Sequence, residues 1–312
     1  MEYFYCKNDI HMNDTIVTIG KFDGMHKGHK ELISTIEKNN TDGLTSVLVT
    51  FEQDSNKEYI YTEEEKKEVV SELGLDAMVV YPFNEEFMNI SAHDFIEKIL
   101  VGSLGAKKIV VGSDFRFGKN RQGDIELLAK LSNKYGYELL VCEKISDSEG
   151  IEISSTNIRE YIKNSEMQKV SEALGRDYSV SGTIVKGRQI GRTIGFPTIN
   201  IYPEKNQIMP LNGVYKTEVE FEDECGNEST LDKINVVKHK GLTNIGKRPT
   251  IDSEQVVNVE TYIYDFNEDV YGDSVDVFLL KHTRAEMKFA NIDELKTQMA
   301  LDIDAGRKFH EQ

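Results

Sequence analysis

Five short apolar runs alternate with amphipathic segments through the first half of the chain, and this alternation constrains the fold more than any other feature. The runs predict strands at residues 15–20, 45–51, 77–81, 108–112 and 138–142. Helical spacing predicts helices at residues 27–37, 62–73, 91–100, 126–135, 156–163 and 166–174. Continuous apolar strands joined by helices are typical of a parallel sheet with right-handed crossovers. We therefore predict an α/β domain built on a parallel sheet.

The pattern changes after Gly175, where short strands follow one another without helices between them. These strands are predicted at residues 178–185, 213–221, 234–238, 256–264 and 275–280. Such spacing indicates a small antiparallel β-barrel. A C-terminal amphipathic helix is predicted at residues 292–303, where Ile292, Leu295, Met299 and Ile303 form one stripe. The 312 residues suit two domains, which we place at residues 1–177 and 178–312.

Charge and composition argue against several classes of function. The formal net charge of −17 disfavours the cationic face that displaces counterions from nucleic acid, so nucleic acid is not an expected partner. The sequence shows neither an apolar stretch of roughly 20 residues nor a secretion signal, so we expect a cytoplasmic protein outside the membrane. Three widely spaced cysteines (Cys6, Cys142 and Cys225) favour reduced thiols over a metal site. The oligomeric state stays open.

A glycine-rich turn with two histidines follows the first predicted strand and opens the first predicted helix. Residues 20–29 read GKFDGMHKGH. An open α/β sheet presents ligands at this position, and the N–H groups and dipole of a helix start favour an anion. His26 and His29 are three residues apart, so both can donate to phosphate oxygens from the same side. The candidate phosphate-binding residues beside them are Gly20, Phe22, Asp23, Gly24 and Gly28.

Two further segments complete a pattern that resembles a known family. Residues 111–118 read VGSDFRFG, and residues 153–159 read ISSTNIR at another predicted helix start. Together with GKFDGMHKGH they resemble the H-x-G-H nucleotidylyltransferase superfamily, and within it the bacterial riboflavin kinase/FAD synthetases. The matching signatures of that family are G-x-D-F-x-F-G and I-S-S-T-x-I-R.

The resemblance implies a nucleotidylyltransferase-like domain that transfers the adenylyl group of ATP to the phosphate of FMN, forming FAD and pyrophosphate. His26 and His29 would stabilise charge on the transferred phosphorus. The resemblance assigns the β- and γ-phosphates of ATP to Ser155, Thr156 and Arg159, and it places near the flavin or the nucleotide Asp114, Phe115 and Phe117.

The chain departs from this family at two places. Lys21 stands where the family usually has Asn, and Glu52-Gln53-Asp54 follows Phe51 where Pro-His-Pro is often found. Lys21 would add a cation next to the phosphate site. The other groups of the phosphate site remain, so we predict that the site still supports adenylylation.

A second dense motif lies in the predicted barrel, where residues 187–200 read GRQIGRTIGFPTIN. It resembles the riboflavin kinase pattern G-R-x-x-G-F-P-T-x-N, and the companion elements of that family follow in order. They are GVY at 213–215, NIGKRPT at 244–250, VET at 259–261, DVYG at 269–272 and RAEMKF at 284–289.

This second resemblance implies a six-stranded barrel that transfers the γ-phosphate of ATP to the 5′-hydroxyl of riboflavin. Glu260 would act as the base that takes the hydroxyl proton. Thr198 and Asn200 would supply oxygen ligands to Mg²⁺. The glycine loop would hold the nucleotide at Gly187, Gly191 and Gly195, and the flavin would contact Arg284.

The sequence as a whole thus predicts a bifunctional enzyme that makes FMN from riboflavin and ATP, and then FAD from FMN and ATP. Two alternatives stay open. The chain is a riboflavin kinase with a degenerate N-terminal domain, or it is a flavin-binding regulator without catalysis. Retention of Thr198, Asn200 and Glu260 speaks against the regulator, because binding a flavin needs neither a base nor metal ligands.

Overall fold

A computed structural model describes residues 1–6, 10–187, 190–221, 237–249 and 255–311 of the chain. The chain forms two compact units, Met1–Asn157 and Ile158–Gln312. The sequence places the boundary later, after residue 177. The second compact unit begins earlier, at Ile158, and it includes a helix at Met167–Leu174 that packs against strands of that unit.

Six parallel strands form the sheet of the first unit, which confirms the predicted fold class. They are β1 (Glu2–Tyr5), β2 (Thr15–Ile19), β3 (Thr45–Phe51), β4 (Ala77–Tyr81), β5 (Ala106–Gly112) and β6 (Glu138–Cys142). Their order across the sheet is β1-β4-β3-β2-β5-β6. Strands β2, β3 and β4 lie side by side in chain order, and β5 lies on the opposite side of β2. The carboxyl ends of β2 and β5 therefore flank the switch point where such sheets bind ligands.

Helices connect these strands and cover the sheet. They are α1 (Lys27–Asn39), α2 (Glu63–Glu72), α3 (Glu85–Met88), α4 (Ala92–Asp94), a π-helical continuation at Phe95–Ser103, a 3₁₀ turn at Lys119–Arg121, α5 (Ile125–Tyr135) and α6 (Ser155–Lys163). The division between the units falls within α6. Alternate residues of the strands pack into two apolar layers. Val17 and Val49 lie in one layer, and Ile16 and Leu48 lie in the other. Burial on both faces explains why the strands read as continuous apolar runs.

The second unit carries an antiparallel sheet that curls into a half-barrel, as its turn-separated strands predict. Its elements are α7 (Met167–Leu174), β7 (Tyr178–Thr183), α8 (Ile190–Thr193), β8 (Ile199–Ile201), β9 (Gly213–Phe221), β10 (His239–Pro249), β11 (Gln255–Ile263), β12 (Ser274–Arg284) and α9 (Ile292–His310). The sheet order is β7-β12-β9-β10-β11-β8. A single bridge between Val185 and Asn200 links the segment after β7 to β8, at the two edges of the sheet.

Three strands differ from the sequence prediction. Neither β1 nor β8 is predicted from the sequence, and β10 occupies residues after the strand predicted at 234–238. Residues 234–236 of that prediction lie outside the described residues. In the part of the chain that the structure describes, no helix combines the length and apolar character needed to cross a membrane.

Candidate active sites

The turn between β2 and α1 holds a backbone conformation that few residues adopt. Phe22, Gly24 and Met25 have positive φ angles of 49°, 82° and 41°. A Cβ atom at Gly24 would also lie 2.9 Å from Ile60 Cδ1, so conformation and space both require glycine there. The buried Asp23 carboxylate accepts a 2.9 Å hydrogen bond from the Ile60 N–H and anchors the turn. Backbone strain of this kind clusters at functional sites.

His26 and His29 come together at the start of α1, as their spacing predicts. Their rings stack with centroids 3.7 Å apart, and a Cβ atom at Gly28 would approach the His26 ring to 3.1 Å. Gly28 therefore makes room for that ring. Burial lowers the pKa of His26 to about 4. Burial also lowers the pKa of His29 well below its usual range, and the neighbouring His26 and Lys66 lower it further. Both imidazoles are neutral at pH 7 and offer hydrogen bonds rather than full charges.

The start of α6 lies beside the same turn. The Ser155 hydroxyl donates to the Asp23 backbone carbonyl at 2.9 Å, and Ser154 caps the helix through its Oγ. Each helix N-terminus carries a partial positive charge of roughly half a unit. Two such ends beside neutral imidazoles suit an anion. Thr156 is exposed on the first turn of α6, and Arg159 lies one turn further, in the second unit.

A pocket of about 230 Å³ lies at this edge of the sheet. The predicted residues that line it are Gly20, Phe22, His26, Gly28, His29, Asp114 and Phe115. Asp23, Gly24 and Ser155 support the wall through the contacts given above. Lys21 is exposed, with its ammonium 5.8 Å from the centre of the Phe83 ring, and among the described residues it does not line the pocket.

Phe115 begins a row of aromatic side chains that leads away from the pocket. It stacks on Phe117 with ring centroids 5.4 Å apart, and Phe117 contacts Phe95 at 5.3 Å. Phe95 continues the row to Phe87 and Phe51. Of the two phenylalanines predicted near the flavin, Phe115 lines the pocket and Phe117 is buried behind it. The outer members of the row carried no signal in the sequence, because they belong to separate elements that only the fold brings together.

An ion-pair cluster in the same pocket was also missed. Lys144 Nζ lies 3.0 Å from Asp114 Oδ2 and 2.8 Å from Glu152 Oε1. Lys144 and Glu152 lie in the segment that follows β6, and a bridge between Ser146 and Glu152 folds that segment back on itself. No motif marks Lys144 or Glu152, so Asp114 is the one member of this cluster that the sequence predicts.

Three glycines shape the loop that precedes the second site. Gly195 has a φ angle of 91°, which favours glycine. A Cβ atom at Gly187 would lie 2.6 Å from Asn200 Nδ2, and one at Gly191 would collide with the Phe196 carbonyl. Gly187 and Gly191 thus permit close approach, whereas Gly195 permits the turn. Residues 188 and 189 of the motif lie outside the described residues.

Glu260 and Thr198 form the polar centre of the second site. Thr198 Oγ1 donates to Glu260 Oε1 at 2.8 Å. Glu260 lies directly opposite Asn200 of β8 and Asn244 of β10, and opposite residues share one face of a sheet. Asn200 is buried, and its Oδ1 accepts a hydrogen bond from Asn258 Nδ2 at 3.3 Å. The fold therefore brings together the three residues predicted as base and metal ligands.

Two cavities meet at Thr198, which lines both. One cavity of about 330 Å³ includes Glu260 and Asn244 in its wall and is closed on one side by α9. The apolar residues that α9 contributes are Leu295, Met299 and Ile303. The other cavity, of about 340 Å³, lies beneath the turn between β11 and β12. Its polar wall includes Arg192, Thr261, Glu268, Asp269 and Tyr271.

Arg284 lines the first of these cavities and also holds α9 in place. Its Nε donates to both carboxylate oxygens of Asp302 at 3.1 Å, and its Nη2 donates to Asp302 Oδ2 at 2.6 Å. Nη1 donates to the Ala285 carbonyl at 3.0 Å. The direct flavin contact predicted for Arg284 stays a prediction. Of the predicted α9 stripe, Ile292 is exposed, because it lies before the part of the helix that covers the cavity.

Comparison with known proteins matches each half of the chain to a separate family model. The model described as FAD synthetase matches residues 9–157, and the model described as riboflavin kinase matches residues 174–310. A curated relative from Buchnera aphidicola, a bifunctional riboflavin kinase/FMN adenylyltransferase, is 35% identical and covers 95% of this chain and 94% of its own. The chain belongs to the bifunctional riboflavin kinase/FMN adenylyltransferase family.

Two further comparisons agree with this family assignment. The Escherichia coli bifunctional riboflavin kinase/FMN adenylyltransferase is 34% identical, over 94% of this chain and 92% of its own. A Streptococcus pneumoniae crystal structure titled as a macrolide-efflux protein superimposes with a TM-score of 0.86 at 29% identity, covering 98% of this chain and 99% of that one. The shared fold extends over both halves. Neither the kinase-only alternative nor the regulator gains support from any of these relatives.

Proposed function

We propose that this chain phosphorylates riboflavin with ATP to give FMN, and adenylylates FMN with ATP to give FAD and pyrophosphate. Membership of the bifunctional family supports both reactions. The observation that carries the residue-level proposal is the Thr198–Glu260 pair at the junction of two cavities. A phosphoryl donor in one cavity and an alcohol in the other would meet at that pair.

For the kinase reaction, we assign riboflavin to the cavity that α9 closes and ATP to the cavity beneath the β11–β12 turn. The apolar wall from α9 suits an isoalloxazine ring. The second cavity has Arg192 in its polar wall, a cation suited to phosphate, whereas Gly191 of the glycine loop lines the first cavity. Glu260 would accept the proton of the 5′-hydroxyl as the γ-phosphate is transferred, while Thr198 orients the carboxylate. The position of Thr198 in both walls supports this assignment.

Mg²⁺ fits this second site through oxygen ligands. Thr198 and Asn200 offer hydroxyl and amide oxygens, which are hard ligands of the kind that Mg²⁺ accepts together with phosphate and water. Within the described residues, no cluster of three or more His, Cys, Asp or Glu side chains is arranged around a metal. Bound Mg²⁺ would neutralise charge on the phosphate groups of ATP.

For adenylyl transfer, we assign the phosphates to the pocket between β2, β5 and the starts of α1 and α6. His26 and His29 would donate hydrogen bonds to the α-phosphate of the transferred adenylyl group, and the two helix ends would stabilise its charge. The FMN ring would lie against Phe115 at the head of the aromatic row. Ser155 then acts by fixing the Asp23 turn, and Thr156 and Arg159 hold the remaining phosphates.

We assign adenylylation to residues 1–177 and phosphorylation to residues 178–312, and we place both reactions in the cytoplasm. The two family matches support this division of labour, because one ends at residue 157 and the other begins at residue 174.

The experiment that tests the proposal is chromatography of riboflavin, ATP and Mg²⁺ incubated with the purified full-length chain. We expect FMN to rise first and FAD to follow. A parallel incubation with supplied FMN isolates the second reaction. Formation of FMN without FAD would support the alternative of a riboflavin kinase alone. If neither FMN nor FAD forms, the result would support the flavin-binding regulator.

A further inference from the structure

The wall of the adenylylation pocket has an unusual charge balance for a site that binds polyphosphates. Among the described residues that line it, Lys144 is the one lysine or arginine, whereas Asp114, Glu143 and Glu152 carry carboxylates. His26 and His29 add no full charge there, because burial keeps them neutral. In the pocket wall itself, an entering triphosphate therefore meets one cation and three acidic side chains, and the proposed phosphate-binding Arg159 lies outside that wall.

Lys144 is occupied by two of those carboxylates. Its Nζ lies 3.0 Å from Asp114 Oδ2 and 2.8 Å from Glu152 Oε1, and all three side chains are between 42% and 66% exposed. Pairs with this exposure are weak, of the order of 1 kcal/mol or less, so they exchange partners readily. A phosphate group carries more charge than a carboxylate and competes well for an ammonium.

We propose that Lys144 is a phosphate-binding residue of the adenylylation site. Its ammonium breaks the ion pairs with Asp114 and Glu152 and contacts the phosphates of the bound substrates. The inference rests on the proposed FMN adenylylation. The phosphate belongs to ATP or to FMN, and the Michaelis constants of the two substrates distinguish these sources. The two carboxylates hold the ammonium at the pocket wall until substrate arrives.

Opposite effects follow for the two sides of the ion pair. Lys144→Met removes a charged partner of the phosphates and should raise the KM of one substrate about 10-fold. Glu152→Gln releases the ammonium from one of its two carboxylates and removes a repelling charge, so it should lower the same KM about 2- to 5-fold. If the two ion pairs only held the segment after β6 in its fold and against the β5 edge, each variant would remove at least one of these pairs. Both variants would then loosen that segment and would change the KM in the same direction.

The test measures FAD formation from supplied FMN, with ATP and FMN varied separately, in the full-length wild type and the two variants. Lys144→Arg should restore most of the affinity. Lys98→Met is the matched control, because Lys98 forms an exposed 2.9 Å pair with Asp94 in the same unit away from the pocket lining. Riboflavin phosphorylation by each variant, together with circular dichroism, reports whether the chain is folded.

A KM raised by Lys144→Met and lowered by Glu152→Gln would support the inference, and the affected substrate would identify the phosphate. An unchanged KM in folded Lys144→Met would overturn it while FAD formation by the wild type leaves the proposed function standing. If Lys144→Met does not fold, a raised or unchanged KM in Glu152→Gln would overturn it instead. A wild type that forms no FAD would overturn both.

Discussion

The two proposed sites of this chain would bind the same co-substrate, ATP, with different chemical groups. The pocket at the parallel sheet presents two helix N-termini and a stacked pair of neutral imidazoles. The site on the half-barrel presents the Glu260 carboxylate, held by Thr198 where two cavities meet. In the proposed reactions, the first site would supply hydrogen-bond donors to an anion, and the second would supply an acceptor for a proton.

The difference follows from the nucleophile in each proposed reaction. A phosphate monoester such as FMN is already ionised at pH 7, since its second pKa is about 6, so its attack on ATP needs no base. The hydroxyl of riboflavin is poorly acidic and benefits from a carboxylate aligned to take its proton. The site proposed for the ionised nucleophile therefore has hydrogen-bond donors for the phosphates and needs no base, whereas the site proposed for the alcohol has a carboxylate.

The largest effect that separates the two sites is expected for Glu260→Gln. Glutamine keeps an oxygen that accepts the Thr198 hydroxyl but cannot take a proton, so FMN formation should fall on the order of 10²–10⁴-fold. FAD formation from supplied FMN should not change. Product chromatography with each substrate checks both statements, and FMN formation near the wild-type rate would remove Glu260 as the base.

A reciprocal effect is expected for His29→Ala. Loss of an imidazole donor should reduce FAD formation on the order of 10²–10³-fold while riboflavin phosphorylation persists. His93→Ala is the matched control, since His93 is exposed on α4 in the same unit. Equal loss of both activities, with a changed circular dichroism spectrum, would show that the variant acts on folding instead.

The neutral state of His26 makes the first site sensitive to acid. Its pKa of about 4 lies below the 6.5 of an exposed histidine, so between those values the unfolded chain takes up a proton that the folded chain does not. This histidine should therefore cost the first unit about 3 kcal/mol of stability as the pH falls from 7 to 4. Hydrogen exchange of β2 and α1 amides checks this, with His26→Gln as the comparison. An identical pH dependence in the two proteins would contradict a neutral, buried His26.

The smallest effect is expected for Thr198→Ala. Removal of its hydrogen bond to Glu260 should slow the kinase about 10-fold and raise the Mg²⁺ concentration for half-maximal rate. Thr198→Ser keeps the hydroxyl and should restore most of the rate. Adenylylation should be spared, and a parallel loss of FAD formation from FMN would show that the two sites are coupled.

Much of the fold could be predicted because its strands are marked locally. The five apolar runs of the first unit became β2 to β6, since a strand buried on both faces needs apolar residues throughout. Strand β10 was missed because Gly241 and Gly246 resemble turn residues. In the structure both glycines permit close packing: a Cβ atom at Gly241 would lie 2.7 Å from the Tyr262 carbonyl, and one at Gly246 would collide with Glu286.

The sequence by itself determined which chemical groups are candidates for both sites, because motifs such as GKFDGMHKGH and GFPTIN place them within a few residues of a helix or strand end. Only the tertiary structure decided their charge states and partners. His26 is neutral because the surrounding core removes water from it, and Lys144 meets Asp114 because β5 and β6 end side by side. Burial and cross-sheet neighbours depend on residues far apart in the chain, and no local pattern records them.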